Sequence, residues 1–537
     1  MTAIPPVGVR PPCPPTPTTR ASELKKLLNR LHPSPETLLL ILSLLIGGVT
    51  GVGVVTFHYL IHLIHTLMLE DLMGLIPRGS PWALACIPTF GGVIIGLMRW
   101  RFQDFGPNIS TLIAASQGLQ ELSPLKPITK MVAASVSLGS GASLGPEAPS
   151  VEIGANFGML VAQVLQLSQD RQRLLLGAGA AAGIAAGFNA PIAGVFFALE
   201  VVLGSTFATS SISAVLLSAV VSALIAQICI GTQPAFALPV YEVRSSWELP
   251  LYMGLGLLAS GVSIAYTEAI QLADRWFHGK TPGFGWLARI PRPIHPIMGG
   301  ACVGLVALQL PQILGVGYET VEAMLQDVQF SLSLLLLLLG VKLAMTAVSL
   351  GSGLVGGIFA PAMFLGASLG SAYGIFLGMI PGISGHVAGP PAYAMVGMAA
   401  VLAGSARAPL TSILLMFELT RDYRIVLPLM AAVGLSVWLV ELVNRRLTHS
   451  LNLQQMGLDV TVNQPPQPIE PLLEPFQDLE ESFSDRLANG ILACQISTDE
   501  FNIDEFNIDE LNGQDIHDLP VLAVANGHLK EDVKSLP

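Results

Sequence analysis

Residues 130–158 read KMVAASVSLGSGASLGPEAPSVEIGANFG, and residues 342–370 read KLAMTAVSLGSGLVGGIFAPAMFLGASLG. The two stretches align without a gap at a constant offset of 212, with 13 of 29 positions identical. Ser137-Leu138-Gly139-Ser140-Gly141 returns as Ser349-Leu350-Gly351-Ser352-Gly353, and Ala148-Pro149 as Ala360-Pro361. A second block follows at an offset of 218, matching residues 179–200 to 397–418. There Ala190-Pro191, with Glu200 beyond, repeats as Ala408-Pro409 with Glu418. An internal duplication in an apolar chain points to a pseudo-two-fold transporter or channel, with its site where interrupted helices meet near the bilayer midplane.

Composition supports the membrane reading. The chain of 537 residues is 52% apolar and 12% charged, which excludes an ordinary soluble enzyme and fits a polytopic, all-α membrane protein. Thr37 to Leu69 and Leu343 to Ala406 carry no Lys, Arg, Asp or Glu, and the second run is long enough for two or three crossings of about 20 residues. Gly and Pro break many of these runs, so short, tilted and interrupted helices are expected, with the freed backbone buried in protein or lining a wet cavity. The net charge of −11 is concentrated in residues 456–537, which hold 17 acidic and 3 basic residues for a net of −14. Residues 1–33 read as a disordered arm, 34–455 as the membrane domain and 456–537 as an acidic, largely disordered tail. Basic residues flank both ends of the membrane domain, which places both termini in the cytoplasm; the plasma (inner) membrane is the expected location. No secretory signal is read at the N-terminus. Nothing points to nucleic-acid binding or to a cofactor. Five dispersed cysteines argue against a disulfide framework or a zinc site.

Glu147 breaks the symmetry of the duplication. It is the single charged residue between Lys130 and Glu152, and Phe359 stands at its place in the second copy. An ionisable group at membrane depth costs several kcal/mol on most scales, roughly 2.5 or more, so it marks a pathway, a relay or a gate. The surrounding Gly145-Pro146-Glu147-Ala148-Pro149 favours a fresh helix start, and Gly357-Ile358-Phe359-Ala360-Pro361 supplies a second one. A helix N-terminus presents unpaired N–H groups and a positive dipole end, which together form an anion site without a full charge. Two such ends would hold a dehydrated anion weakly enough to release it.

These motifs resemble those of the CLC family of chloride channels and proton–chloride exchangers, of the bacterial type without recognisable paired CBS domains. The resemblance spans roughly residues 38–450. Residues 145–149 resemble the family's G(K/R)EGP motif and residues 357–361 its GxFxP motif. It implies an all-helical homodimer, each subunit with its own pore and two inverted repeats. It implies that Glu147 is a gate that blocks an anion site as a carboxylate and swings aside when protonated. It assigns anion contacts to Gly145, Pro146, Gly357, Ile358 and Phe359, and chloride, protons and lipid as partners.

Departures from the family pattern bear on substrate and coupling. Its first filter loop corresponds to Gly106-Pro107-Asn108-Ile109-Ser110, with Pro107 and Asn108 facing the anion. In some plant relatives a proline there accompanies nitrate preference, so nitrate is the alternative substrate. Val201 occupies the place of the inner proton-transfer glutamate of exchangers, and the pore tyrosine has Thr448 or His449 as its nearest stand-in. Channel and proton-coupled antiporter both remain open on these residues.

Other chemistries are weaker. His58, His62 and His65 share one helix face at a spacing that suits a metal, yet they sit near a span's end, where polar side chains are ordinary. Ser140 or Ser352 as the nucleophile of an intramembrane enzyme lacks a base, since no His lies in either repeated segment. Glu200 and Glu418, matched in both halves, read as architectural acids near helix ends, with a functional role the alternative, and Lys130 and Lys342 as anchoring or snorkelling, with anion attraction the alternative.

Overall fold

In hydrocarbon every backbone polar group must be satisfied within the chain, so the apolar runs form helices. The computed structural model describes residues 35–71, 82–102, 126–204, 209–231, 248–281, 285–326, 330–381 and 387–447, with a few single positions between. The arm and tail expectations fall outside the described residues.

The first half comprises α1 (Pro35–His65), α2 (Trp82–Arg101), α3 (Lys126–Gly139), α4 (Glu147–Val164), α5 (Gln169–Phe188), α6 (Pro191–Phe197) and α7 (Thr209–Cys229). The second comprises α8 (Leu249–Phe277), α9 (His295–Ala307), α10 (Tyr318–Leu325), α11 (Leu332–Gly351), α12 (Phe359–Gly378), α13 (Pro390–Ala406), α14 (Pro409–Thr420) and α15 (Val426–Leu447). Six described helices are long and apolar enough to cross a membrane, and α6, α13 and α14 are shorter apolar pieces. Of the six, α12 is the most enclosed, with 78% of its most apolar 18 residues buried within the chain against 39–44% for the others, so it runs through the interior of the bundle.

The halves are two inverted repeats, and their turns repeat to within a few degrees. Helix α5 ends at Asn189 (φ 57°) and α13 at Arg407 (φ 53°), both left-handed. Ala190 (φ −130°, ψ 78°) and Ala408 (φ −126°, ψ 72°) are then kept out of the helical region by the prolines that follow, and those prolines open α6 and α14. Gly141 (φ 92°) and Gly353 (φ 89°) make the matching turns after α3 and α11, in a region that disfavours any Cβ.

Reciprocal contacts bind one half to the other. The Glu200 carboxylate accepts from the N–H groups of Leu410 (3.2 Å) and Thr411 (3.0 Å) at the start of α14. Glu418 accepts from Ile192 (2.9 Å) and Ala193 (2.7 Å) at the start of α6. Each acid caps the helix of the opposite repeat, which is the architectural role expected from the sequence.

A further duplicated block escaped the sequence reading. Pro88-Thr89-Phe90-Gly91-Gly92 and Gly96 in α2 match Pro296-Ile297-Met298-Gly299-Gly300 and Gly304 in α9, at an offset of 208. A Cβ on Gly92 would collide with the Pro296 carbonyl oxygen, and one on Gly300 with that of Pro88. Within each half, Gly154 packs on Gly179 and Gly366 on Gly397, backbone against backbone. Small residues permit this close approach where hydrophobic drive between helices is absent.

Candidate functional site: a carboxylate seated on a helix N-terminus

The loops after α3 and α11 meet at the centre. Gly145 and Gly357, equivalent positions of the two repeats, exchange both backbone hydrogen bonds, N–H to O at 2.9 and 2.6 Å. A Cβ on Gly357 would lie 2.9 Å from the Ala148 nitrogen, so glycine is required by proximity. Helices α4 and α12 each begin two residues past this bridge, at Glu147 and Phe359. Their positive dipole ends and unpaired first-turn N–H groups therefore converge beside one backbone pair.

Glu147 is 2% exposed and reaches into the opposite repeat. Its Oε2 accepts from the Ala360 N–H at 3.4 Å, in the first turn of α12, and its Oε1 accepts from the Tyr318 hydroxyl at 2.6 Å. The carboxylate thus occupies a seat with the donor geometry of an anion site. Tyr318 opens α10, directly after Gly317 (φ 84°). Gly315-Val316-Gly317-Tyr318 has turn character legible in the sequence, but its reach to Glu147, 171 residues away, is not.

Around the seat, Phe359 is buried edge-on to Phe197, ring centroids 5.9 Å apart. Ile358 is buried, and its carbonyl accepts from the Tyr266 hydroxyl at 3.1 Å. Tyr266, like Tyr318, was missed by sequence reasoning. Pro146 immediately precedes α4, so it stands with Gly145, Gly357, Ile358 and Phe359 at the junction of the two helix starts. Val201 lies elsewhere, partly buried in the short π-helical turn Ala198–Leu203 beside the capping Glu200. Pro107, Asn108, Thr448 and His449 fall outside the described residues.

The two matched lysines do not snorkel. Lys130 pairs with Glu152 at 2.8 Å, with side chains 12% and 8% exposed. Lys342 is fully buried and donates to the carbonyls of Ile313 (3.1 Å) and Gly315 (2.8 Å), with its ammonium 5.1 Å from the Phe364 ring centroid. Phe364 is the equivalent of Glu152, so the second repeat replaces an ion pair by carbonyls and an aromatic face.

Candidates for other chemistry have local partners. Ser140 and Ser352 each donate to the carbonyl three residues back, Ser137 at 3.0 Å and Ser349 at 2.9 Å, at the ends of their helices. His58 Nδ1 lies 3.0 Å from the Val54 carbonyl, and His62 Nδ1 lies 3.5 Å from the Thr66 hydroxyl.

A family profile described as "Voltage gated chloride channel" matches residues 91–441. The chain is 40% identical over 434 residues to the chloride channel protein CLC-e of Arabidopsis thaliana, covering 76% of this chain and 60% of that relative. It is 30% identical over 418 residues to the H(+)/Cl(−) exchange transporter ClcA of Vibrio cholerae, covering 75% of this chain and 87% of the relative. A crystal structure of a slow cyanobacterial Cl−/H+ antiporter superposes with a TM-score of 0.67 at 25% identity, covering 77% of this chain and 96% of the other. With its duplicated helices, its paired helix starts and these matches, the chain belongs to the voltage-gated chloride channel (CLC) family of multi-pass membrane proteins.

Proposed function

We propose that the protein moves chloride, or a similar small inorganic anion, across a membrane along a pathway gated by protonation of Glu147. The observation that carries this reading is the Glu147 carboxylate seated on the first turn of α12, 3.4 Å from the Ala360 nitrogen. A carboxylate and a chloride ion compete for the same donors, so the seat is closed to anions while Glu147 occupies it. Protonation removes the charge that the helix end attracts, and the neutral side chain leaves the seat to an incoming anion. In this reading Gly145, Pro146, Gly357, Ile358 and Phe359 form the central anion contacts, with Pro107 and Asn108 completing one side and Val201, Thr448 and His449 the inner route.

The relatives divide by name between a chloride channel and a proton–chloride exchange transporter, and Val201 offers no proton-carrying group. Coupling is therefore decided by measurement: anion efflux and proton movement recorded together from liposomes holding the purified protein. Protons driven uphill by the anion gradient establish exchange, and anion flux without proton movement establishes a channel. Repeating the assay with nitrate tests the preference that Pro107 raises. Glu147→Ala should keep anion flux and lose its pH dependence; loss of all flux with a folded protein would sink the gate assignment. We further read the protein as a homodimer in the plasma (inner) membrane with both termini cytoplasmic, consistent with its flanking basic residues.

A further inference from the structure

The seat of Glu147 contains a donor that the two helix ends do not provide. The 2.6 Å bond from the Tyr318 hydroxyl is shorter than the 3.4 Å approach of the Ala360 N–H. A carboxylate oxygen is a stand-in for a small anion, so a group that donates to it faces whatever anion replaces it.

The turn that carries Tyr318 is held from three sides. The Gly315 N–H donates to the Gly141 carbonyl at 3.0 Å, tying the turn before α10 to the glycine-rich loop of the first repeat. The Lys342 ammonium donates to the carbonyls of Ile313 and Gly315 at 3.1 and 2.8 Å, gripping the same turn from α11. Gly317 then reverses the chain, and a Cβ there would lie 2.8 Å from the Phe364 ring and 3.3 Å from Lys342 Nζ. Tyr318 emerges from a turn fixed by both repeats, with a buried cation at its back. Among the described residues, the partners of that cation are carbonyls and a ring face, not a carboxylate.

We infer that Tyr318 is an anion ligand of the pathway: once Glu147 leaves, its hydroxyl donates to a small monovalent inorganic anion in the vacated seat. This rests on the reading of Glu147 as a displaceable gate. A neutral phenol suits the task because it adds a directional donor without the full charge that would trap the anion. Lys342 acts through the turn it anchors, as a positioning residue.

The test uses the full-length protein in detergent, with chloride titrated calorimetrically into Glu147→Ala and into Glu147→Ala/Tyr318→Phe. Removing the carboxylate from both leaves the seat open, so the hydroxyl is the one difference. Chloride should bind about tenfold more weakly to the double variant, the order expected for one hydrogen bond to a charged group. Equal affinities would overturn the inference and leave Tyr318 as a latch on the closed gate; persistent pH-independent flux through Glu147→Ala would then show the gate reading intact. Glu147→Ala that neither binds chloride nor passes anions would overturn both. Tyr318→Phe with Glu147 present supplies a second readout. Losing a donor to the seated carboxylate should raise anion flux at neutral pH, and an unchanged flux–pH profile would count against a shared seat.

Discussion

The first and second repeats share their turns and differ in their charges. Asn189 and Arg407, Gly141 and Gly353, and Glu200 and Glu418 adopt matching conformations or make reciprocal bonds across the pseudo-two-fold. Glu147 faces no acid in the second repeat, where Phe359 fills the place, and the Lys130–Glu152 pair becomes Lys342 over Phe364. Tyr266, which bonds the Ile358 carbonyl, has Phe57 as its counterpart at an offset of 209. Symmetric residues are spent on holding interrupted helices together in a medium without water. Among the asymmetric ones is the acid at the break, Glu147, whose carboxylate meets the Ala360 N–H and the Tyr318 hydroxyl where the two helix starts meet.

This contrast can be broken experimentally at several levels. The largest effect should come from Glu147→Ala, which abolishes the pH dependence of anion flux, whereas Phe359→Ala at the matched position leaves a pH dependence in place. Stability should next separate the two lysines. Lys130→Met strands a buried carboxylate on Glu152 and should cost about 3–5 kcal/mol. Lys342→Met strands no charge and removes donors from two carbonyls, a loss of roughly 1–3 kcal/mol. Thermal unfolding in detergent compares them, and Lys130→Met/Glu152→Leu should recover most of the first loss. A double variant no more stable than Lys130→Met would show that the pair is not the source of the difference.

The symmetric contacts make the opposite prediction, equality between halves. Gly92→Ala and Gly300→Ala each push a Cβ into a carbonyl of the facing helix and should destabilise alike, by about 1–3 kcal/mol. A clear inequality would mean that α2 and α9 do not share their interface evenly. The smallest effect is expected at the caps: Glu200→Ala and Glu418→Ala should each cost roughly 1–2 kcal/mol and leave the flux–pH profile unchanged. A shift in that profile would move these acids from architecture into the pathway.

Much of the site was legible because the information is local. Glycine, proline and a lone acid in Gly145-Pro146-Glu147-Ala148-Pro149 announce a helix start carrying a charge, and the repeat locates its partner at Gly357-Ile358-Phe359. The α2/α9 duplication was equally present as Pro, Gly-Gly and Gly at fixed spacing, but its offset of 208 separates it from the longer blocks, and glycine patterns are weak without a structure. Lys130 and Lys342 looked alike in sequence because a lysine's partner in a packed bundle lies on another segment. The partners of the two heads, a carboxylate for Lys130 and two carbonyls for the buried Lys342, follow from packing rather than from neighbours in the chain.

By itself the sequence determined that the chain is a duplicated membrane protein, where its helices break, and that one repeat alone carries an acid at the break. Those properties reside in apolar run length, in the backbone preferences of Gly and Pro, and in direct comparison of one half with the other. Tertiary structure decided which groups meet that acid. The Ala360 N–H and the Tyr318 hydroxyl are 213 and 171 residues from Glu147, and a hydrogen bond depends on positions a few ångströms apart that only the folded bundle sets.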